Sequence, residues 1–104
     1  MKKIVVGCTL GLALISGGVM AAGDANVGKR KAVICANCHG PNGITVINDY
    51  PNLKGQNELY LIQALKSYRA KERNRGLGMA MTLSAMMLSD QDIKDLAAYY
   101  SSLK

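Results

Sequence analysis

The sequence predicts an all-α domain of three to four helices. Two apolar stripes carry helical spacing, one within residues 57–71 and one within 89–100. No stretch alternates β-branched and polar residues as a half-buried strand requires. Between the stripes, Gly and Pro gather into breaker segments at 40–55 and 73–81.

The chain begins with something other than domain material. Lys2 and Lys3 precede an apolar run from Ile4 to Ile15, and small residues surround Val19, Ala21 and Ala22. Basic, apolar and small-residue regions in that order predict a secretory signal peptide over 1–21, cut after Ala21 or Ala22. The run is too short and too broken by Gly for a membrane span, which needs roughly 20 apolar residues. If uncut, the segment would instead anchor the domain. Cys8 reads as an ordinary apolar residue of this segment.

The domain then covers residues 22–104. Asp24 is placed to cap a first helix from Ala25 to about Asn37. Gly40-Pro41-Asn42-Gly43 ends it. Residues 44–55 are irregular, with Pro51 and Gly55 as fixed points. A second helix is expected from Asn57 to Lys71, with Leu61, Leu65 and Tyr68 on one face. The segment Arg73–Met81 reads as a loop. Ser89 and Asp92 form a capping box for the last helix, whose stripe is Ile93, Leu96, Ala97 and Tyr100. Met86 and Met87, just before it, read as core.

Without residues 1–21 the chain holds 83 residues, two Cys, one His and no Trp or Phe. Few large apolar side chains remain to build a core, and small domains of this kind need a staple. A large apolar cofactor would complete it. The net charge of +6 falls to +4 with Lys2 and Lys3 gone, too mild to suggest nucleic-acid binding.

Residues 35–39 read Cys-Ala-Asn-Cys-His, the spacing of covalent haem attachment. Two sulfurs with two residues between them can reach the two vinyl groups on one porphyrin edge, and His39 then falls where its imidazole can bind iron. A thiol redox pair usually stands in a βαβ setting, which is missing. Structural zinc wants four ligands, and residues 22–104 supply no further Cys or His. The pattern therefore predicts one covalently bound haem c, with His39 as an iron ligand. With no second His, the other axial ligand would be a Met, and a His/Met pair raises the reduction potential. Met79, Met81, Met86 and Met87 are the candidates; Met79 and Met81 lie in the Gly-containing segment.

These motifs make the chain similar to class I c-type cytochromes. It most resembles the small bacterial periplasmic monohaem group labelled c-four, c-five and c-five-five-three. The resemblance rests on Ala22–Ala25, Cys35–Gly40, Pro51–Gln56, Arg73-Asn74, Leu88–Ile93 and Leu96–Tyr100. It implies a cytochrome c fold around the haem. It implies Met81 as the ligand, eight residues before Ser89, with Met79 the second choice. It implies that the Pro51 carbonyl accepts from the His39 ring, that Arg73 and Asn74 lie near the haem propionates, and that Gly28 meets Tyr100 where the end helices cross. A Pro often follows the ligand Met in that group; Thr82 and Leu83 stand here.

The function so implied is electron transport rather than catalysis. The expected setting is the periplasm, with a quinol-oxidising complex as donor and a terminal oxidase or reductase as acceptor. No small-molecule substrate, nucleic acid or direct membrane contact is implied. A haem enzyme would need an open iron position, which a Met ligand closes. A fixed relay subunit is the other rival. Lys66, Arg69, Lys71, Arg73 and Arg75, with the shorter run Lys29–Lys31, read as a solvated face or as a docking surface.

Overall fold

The computed structural model describes residues 21–104, so Cys8 and the rest of the expected signal segment through Met20 lie outside it. The described residues form five short helices: α1 (Ala25–Lys31), α2 (Ala36–His39), α3 (Glu58–Arg69), α4 (Gly78–Ala85) and α5 (Asp90–Ser102). The all-α expectation holds, with more and shorter helices than three or four.

α1 starts where its cap dictates. The Asp24 carboxylate accepts from the N–H groups of Asn26 and Val27 at 2.9 and 3.2 Å. Lys29, Arg30 and Lys31 suit the negative end of the helix. The expected run to Asn37 breaks at Lys31, before the β-branched pair Val33-Ile34. There the Ala32 carbonyl accepts from both Cys35 and Ala36, and α2 follows as a separate turn.

α3 lies close to its expected span. Its cap is Asn57, whose side chain accepts from the N–H of Tyr60 at 2.9 Å. Its far end closes in a Schellman motif. Lys71 N–H donates to the Tyr68 carbonyl and Glu72 N–H to Ser67, with Lys71 in the left-handed region at φ 67°. α5 carries the expected capping box: Ser89 Oγ accepts from Asp92 N–H at 3.0 Å, and Asp92 Oδ2 accepts from Ser89 N–H at 2.9 Å.

α1 and α5 cross closely. A Cβ placed on Gly28 would lie 1.9 Å from the Asp95 carbonyl oxygen and 2.9 Å from Tyr99 Cβ. The expected partner Tyr100 is one residue off, because it is the Asp95–Tyr99 edge of α5 that faces the glycine. Beside the crossing, buried Asp95 gathers three donors: Asp24 N–H at 2.9 Å, Lys31 Nζ at 2.7 Å and Gln91 Nε2 at 3.0 Å. Burial pushes its carboxyl up, but those hydrogen bonds outweigh burial and hold it at about 2. The core beneath is Ala32, Leu61, Leu96, Ala97 and Tyr100.

α4 replaces part of the loop expected over 73–81. Gly76 bends the chain at φ 54°, and Gly78, expected to break structure, instead starts the helix against the Arg73 carbonyl. α4 has no side-chain cap at its start, and its sequence Gly-Met-Ala-Met-Thr-Leu-Ser-Ala contains no charged residue. It buries Thr82 and Ala85. Met86 and Met87 are exposed, at 49% and 81%, and so are not the core residues expected. They continue the outward side of α4, as Met79 and Leu83 do.

Candidate functional site

α2, α3, α4, α5 and the 49–56 loop surround one cleft of about 350 Å³. α2 contributes Cys35, Cys38 and His39. α3 contributes Tyr60, Leu61, Ala64, Leu65 and Tyr68, whose spacing keeps them on one face. α5 supplies Leu96, Ala97 and Tyr100. α4 and the turn after it supply Leu77, Ala80, Met81, Ser84, Ala85 and Leu88. The charged side chains of the lining, His39 aside, are Arg73 and Asp49.

The helical turn of α2 sets the two thiols and the imidazole on successive positions of one short element. Gly40, at φ 87°, ends it, and a Cβ there would lie 1.9 Å from the Ile44 carbonyl oxygen. Cys35 is half-buried and Cys38 exposed, and both are free thiols. Burial pushes the Cys35 thiol up. The same cause raises the Tyr100 phenol beside it, so both stay protonated at neutral pH.

His39 is buried, and its Nδ1 stands 2.8 Å from the Pro51 carbonyl oxygen. A carbonyl only accepts, so Nδ1 is the donor of this pair and Nε2 is the nitrogen left for other bonds. The loop that delivers Pro51 is itself fixed. The Gly43 carbonyl accepts from Leu53 and Lys54 N–H groups at 2.8 and 3.0 Å, and Gly55 N–H donates to the Tyr100 carbonyl at 2.9 Å. Thr45 Oγ1 donates to the Cys38 carbonyl at 2.8 Å, tying this loop back to α2.

The structure therefore brings Cys35, Cys38, His39, Pro51, Arg73 and Met81 to one cleft. Met79 points outward at 52% exposure, and Asn74 is exposed and not part of the lining. The Arg73 guanidinium lies over the Tyr68 ring, 4.3 Å from its centroid. Sequence reasoning missed Tyr60, Ser84 and Leu88 as lining residues. Ser84 and Leu88 follow Met81 at i+3 and i+7, a signal available once α4 is known to be a helix.

Two thiols, one imidazole with a free Nε2 and one thioether around an apolar cleft are the donor set of a covalently attached haem. Among the described residues no group of three or more His, Cys, Asp and Glu side chains is placed to hold a metal ion by itself.

Known proteins point the same way. The family described as Cytochrome c matches residues 27–104. Cytochrome c-554(548) of Halomonas halodenitrificans is 48% identical over 81 residues, covering 78% of this chain and 98% of that one. Cytochrome c4 of Stutzerimonas stutzeri is 40% identical over 110 residues, covering all of this chain but 52% of that one. The crystal structure of reduced recombinant cytochrome c4 from Pseudomonas stutzeri superposes with a TM-score of 0.70 at 40% identity. It covers 80% of this chain and 47% of its own. The present chain thus spans about half the length of the c4 proteins and nearly all of c-554(548).

Proposed function

The chain belongs to the cytochrome c family, and from that premise we propose that it shuttles single electrons between respiratory redox proteins in the periplasm. As a member it is a monohaem electron carrier with a covalently bound haem c, and not an enzyme. The haem, when bound, supplies a one-electron iron couple.

We assign the residues of the cleft as follows. Cys35 and Cys38 form the two thioethers. His39 Nε2 and the Met81 sulfur would hold the haem iron. The Pro51 carbonyl holds the Nδ1 proton, which fixes the ring and makes Nε2 a better donor. Arg73 serves the propionates, and its stacking on Tyr68 orients it. Asn74, beside it in sequence, is assigned there with it. The apolar walls from α3 and α5 exclude water and favour the less charged reduced state. The observation that carries this reading is that Cys35, Cys38, His39 and Met81 line one apolar cleft while Nδ1 is already engaged.

Residues 22–104 form the exported domain behind a cleaved signal segment. No helix of the described residues is long and apolar enough to cross a membrane. A quinol-oxidising complex as donor and a terminal oxidase or reductase as acceptor fit such a carrier.

The test is direct. The protein, made with haem-attachment machinery present, is weighed intact and scanned oxidised and reduced. We expect the mass of residues 22–104 or 23–104 plus one haem. We also expect a sulfur-to-iron absorption band that Met81→Ala removes while the haem stays attached. A colourless product with the polypeptide mass alone would sink the reading.

A further inference from the structure

Burial does not explain the way α4 is turned. The helix buries Thr82 and Ala85, and half-buried Gly78 lies near the ring of Tyr68 on α3, where an added Cβ would come within 3.4 Å. Buried Thr82 Oγ1 has no hydrogen-bond partner. The opposite side leaves Met79, Leu83, Met86 and Met87 exposed at 52, 64, 49 and 81%. Advancing the helix by one position would bury Leu83 in place of that hydroxyl. Apolar burial would improve, and Met81 would leave the cleft. A helix without charged residues on any side gives the hydrophobic effect little with which to choose among these rotations. Something specific must hold the observed one.

The specific hold is at the C-terminal end. Arg69, the last residue of α3, reaches across to the turn between α4 and α5. Its guanidinium donates through one terminal nitrogen to the Leu88 carbonyl at 3.1 Å and through the other to Asp90 Oδ1 at 2.6 Å. Such a two-nitrogen grip fixes orientation as well as distance. Leu88 N–H closes the turn that follows α4 on the Ala85 carbonyl, at 3.0 Å. It stands three residues beyond the end of α4, and it and Met81 both line the cleft. Holding Leu88 therefore holds the rotation that presents Met81. The start of α4 has no side-chain hold: Leu77 makes no cap, and only backbone turns, Gly78 N–H to the Arg75 carbonyl at 2.9 Å and Met79 N–H to the Gly76 carbonyl at 3.1 Å, close it.

We propose that Arg69 is the positioning residue that selects Met81, among the four methionines of this segment, as the thioether offered to the haem iron. The proposal rests on the assignment of Met81 as ligand. The experiment compares holoprotein carrying Arg69→Gln, Arg69→Lys, Asp90→Asn or Met81→Ala with the unaltered protein. The readouts are the methyl proton resonance of the iron-bound methionine, the rate of carbon monoxide binding to the ferrous form and helix content by circular dichroism. In Arg69→Gln we expect the single methionine signal to weaken or split. Carbon monoxide should bind at least tenfold faster, with helix content unchanged. Arg69→Lys, which keeps the charge but not the fork, should fall between. Asp90→Asn spares the Leu88 bond at a half-exposed site, so it should fold even if Arg69→Gln does not, and should show a smaller change of the same kind. One unaltered methionine signal and an unaltered rate in Arg69→Gln, or in Asp90→Asn should the former fail to fold, overturn the proposal. Persistence of the methionine signal in Met81→Ala would instead overturn the ligand assignment beneath it.

Discussion

The crossing of α1 on α5 and the seat of α4 are two answers to the same problem of placing a short helix. At the crossing, every level agrees. Asp24 caps α1, the capping box starts α5, Gly28 allows contact at backbone distance, and Asp95 collects donors from both elements. At α4, the levels disagree. The helix lacks a side-chain cap and a polar face, buries a hydroxyl without a partner, and exposes four large apolar side chains. Consistency across levels marks scaffold, and local conflict marks a place shaped by a site. The contrast teaches that this chain puts its specificity into a rigid frame and seats the ligand-bearing helix with a few point contacts.

The strongest blow to the frame is Gly28→Ala. The new methyl would sit within 1.9 Å of the Asp95 carbonyl oxygen, which is backbone and cannot swing aside. The helices must separate, and overpacking of this kind costs about 3 kcal/mol. For a domain this size the melting temperature of the holoprotein should fall by at least about 10 °C. The haem spectrum at room temperature should be little changed, since Gly28 is outside the cleft. A melting temperature unchanged within error would mean the crossing is looser than its geometry.

Asp95 tests the same crossing through its charge. Replacing it by Asn should cost about 2 kcal/mol, because the Asp24 N–H and Lys31 bond its two different oxygens, and Asn keeps only one acceptor and no charge for Lys31. The pH dependence follows with a definite sign. The folded carboxyl is held at about 2, below its ordinary value of 3.8. Its contribution is therefore fully present above pH 3.8 and is lost as pH falls through about 2. Acid unfolding followed by circular dichroism should be steeper across that window in the unaltered protein than in Asp95→Asn. Parallel curves would remove Asp95 from the account.

What the sequence made legible divides along the same line. The capping box at Ser89 and Asp92 and the stripe from Ile93 to Tyr100 are local signals, and α5 follows them. Cys35, Cys38 and His39 are legible because one helical turn holds them. Pro51 sits twelve residues from His39 in sequence, so its approach was readable through family resemblance and not from spacing. α4 was hidden because Gly76 and Gly78 read as breakers and its outward methionines erase any amphipathic period. Asp95 carries no local signal of burial; only the fold places it against α1. Arg69 looked like one more charge in a basic run. Its role depends on where the turn at Leu88 arrives, which no local pattern encodes.

The smallest effect is the one that tests the conflict itself. Thr82→Val keeps the shape of the side chain and removes only the hydroxyl. Thr and Val have similar helix propensities, so the backbone should register little change. A buried hydroxyl without a partner carries a desolvation cost that an isosteric methyl does not. The substitution should therefore stabilise the holoprotein by about 1 kcal/mol, visible as a rise of several degrees in melting temperature. The same change at a partnered threonine would destabilise, so the sign alone decides the matter. Ligation should not change, because a valine at this position would favour the same buried stripe that Thr82 occupies against its own chemistry. A stabilised variant with an intact sulfur-to-iron band would show that the seat of α4 is held despite Thr82. A destabilised one would show that the hydroxyl has found an acceptor, and α4 would then be as consistent as the crossing it is contrasted with.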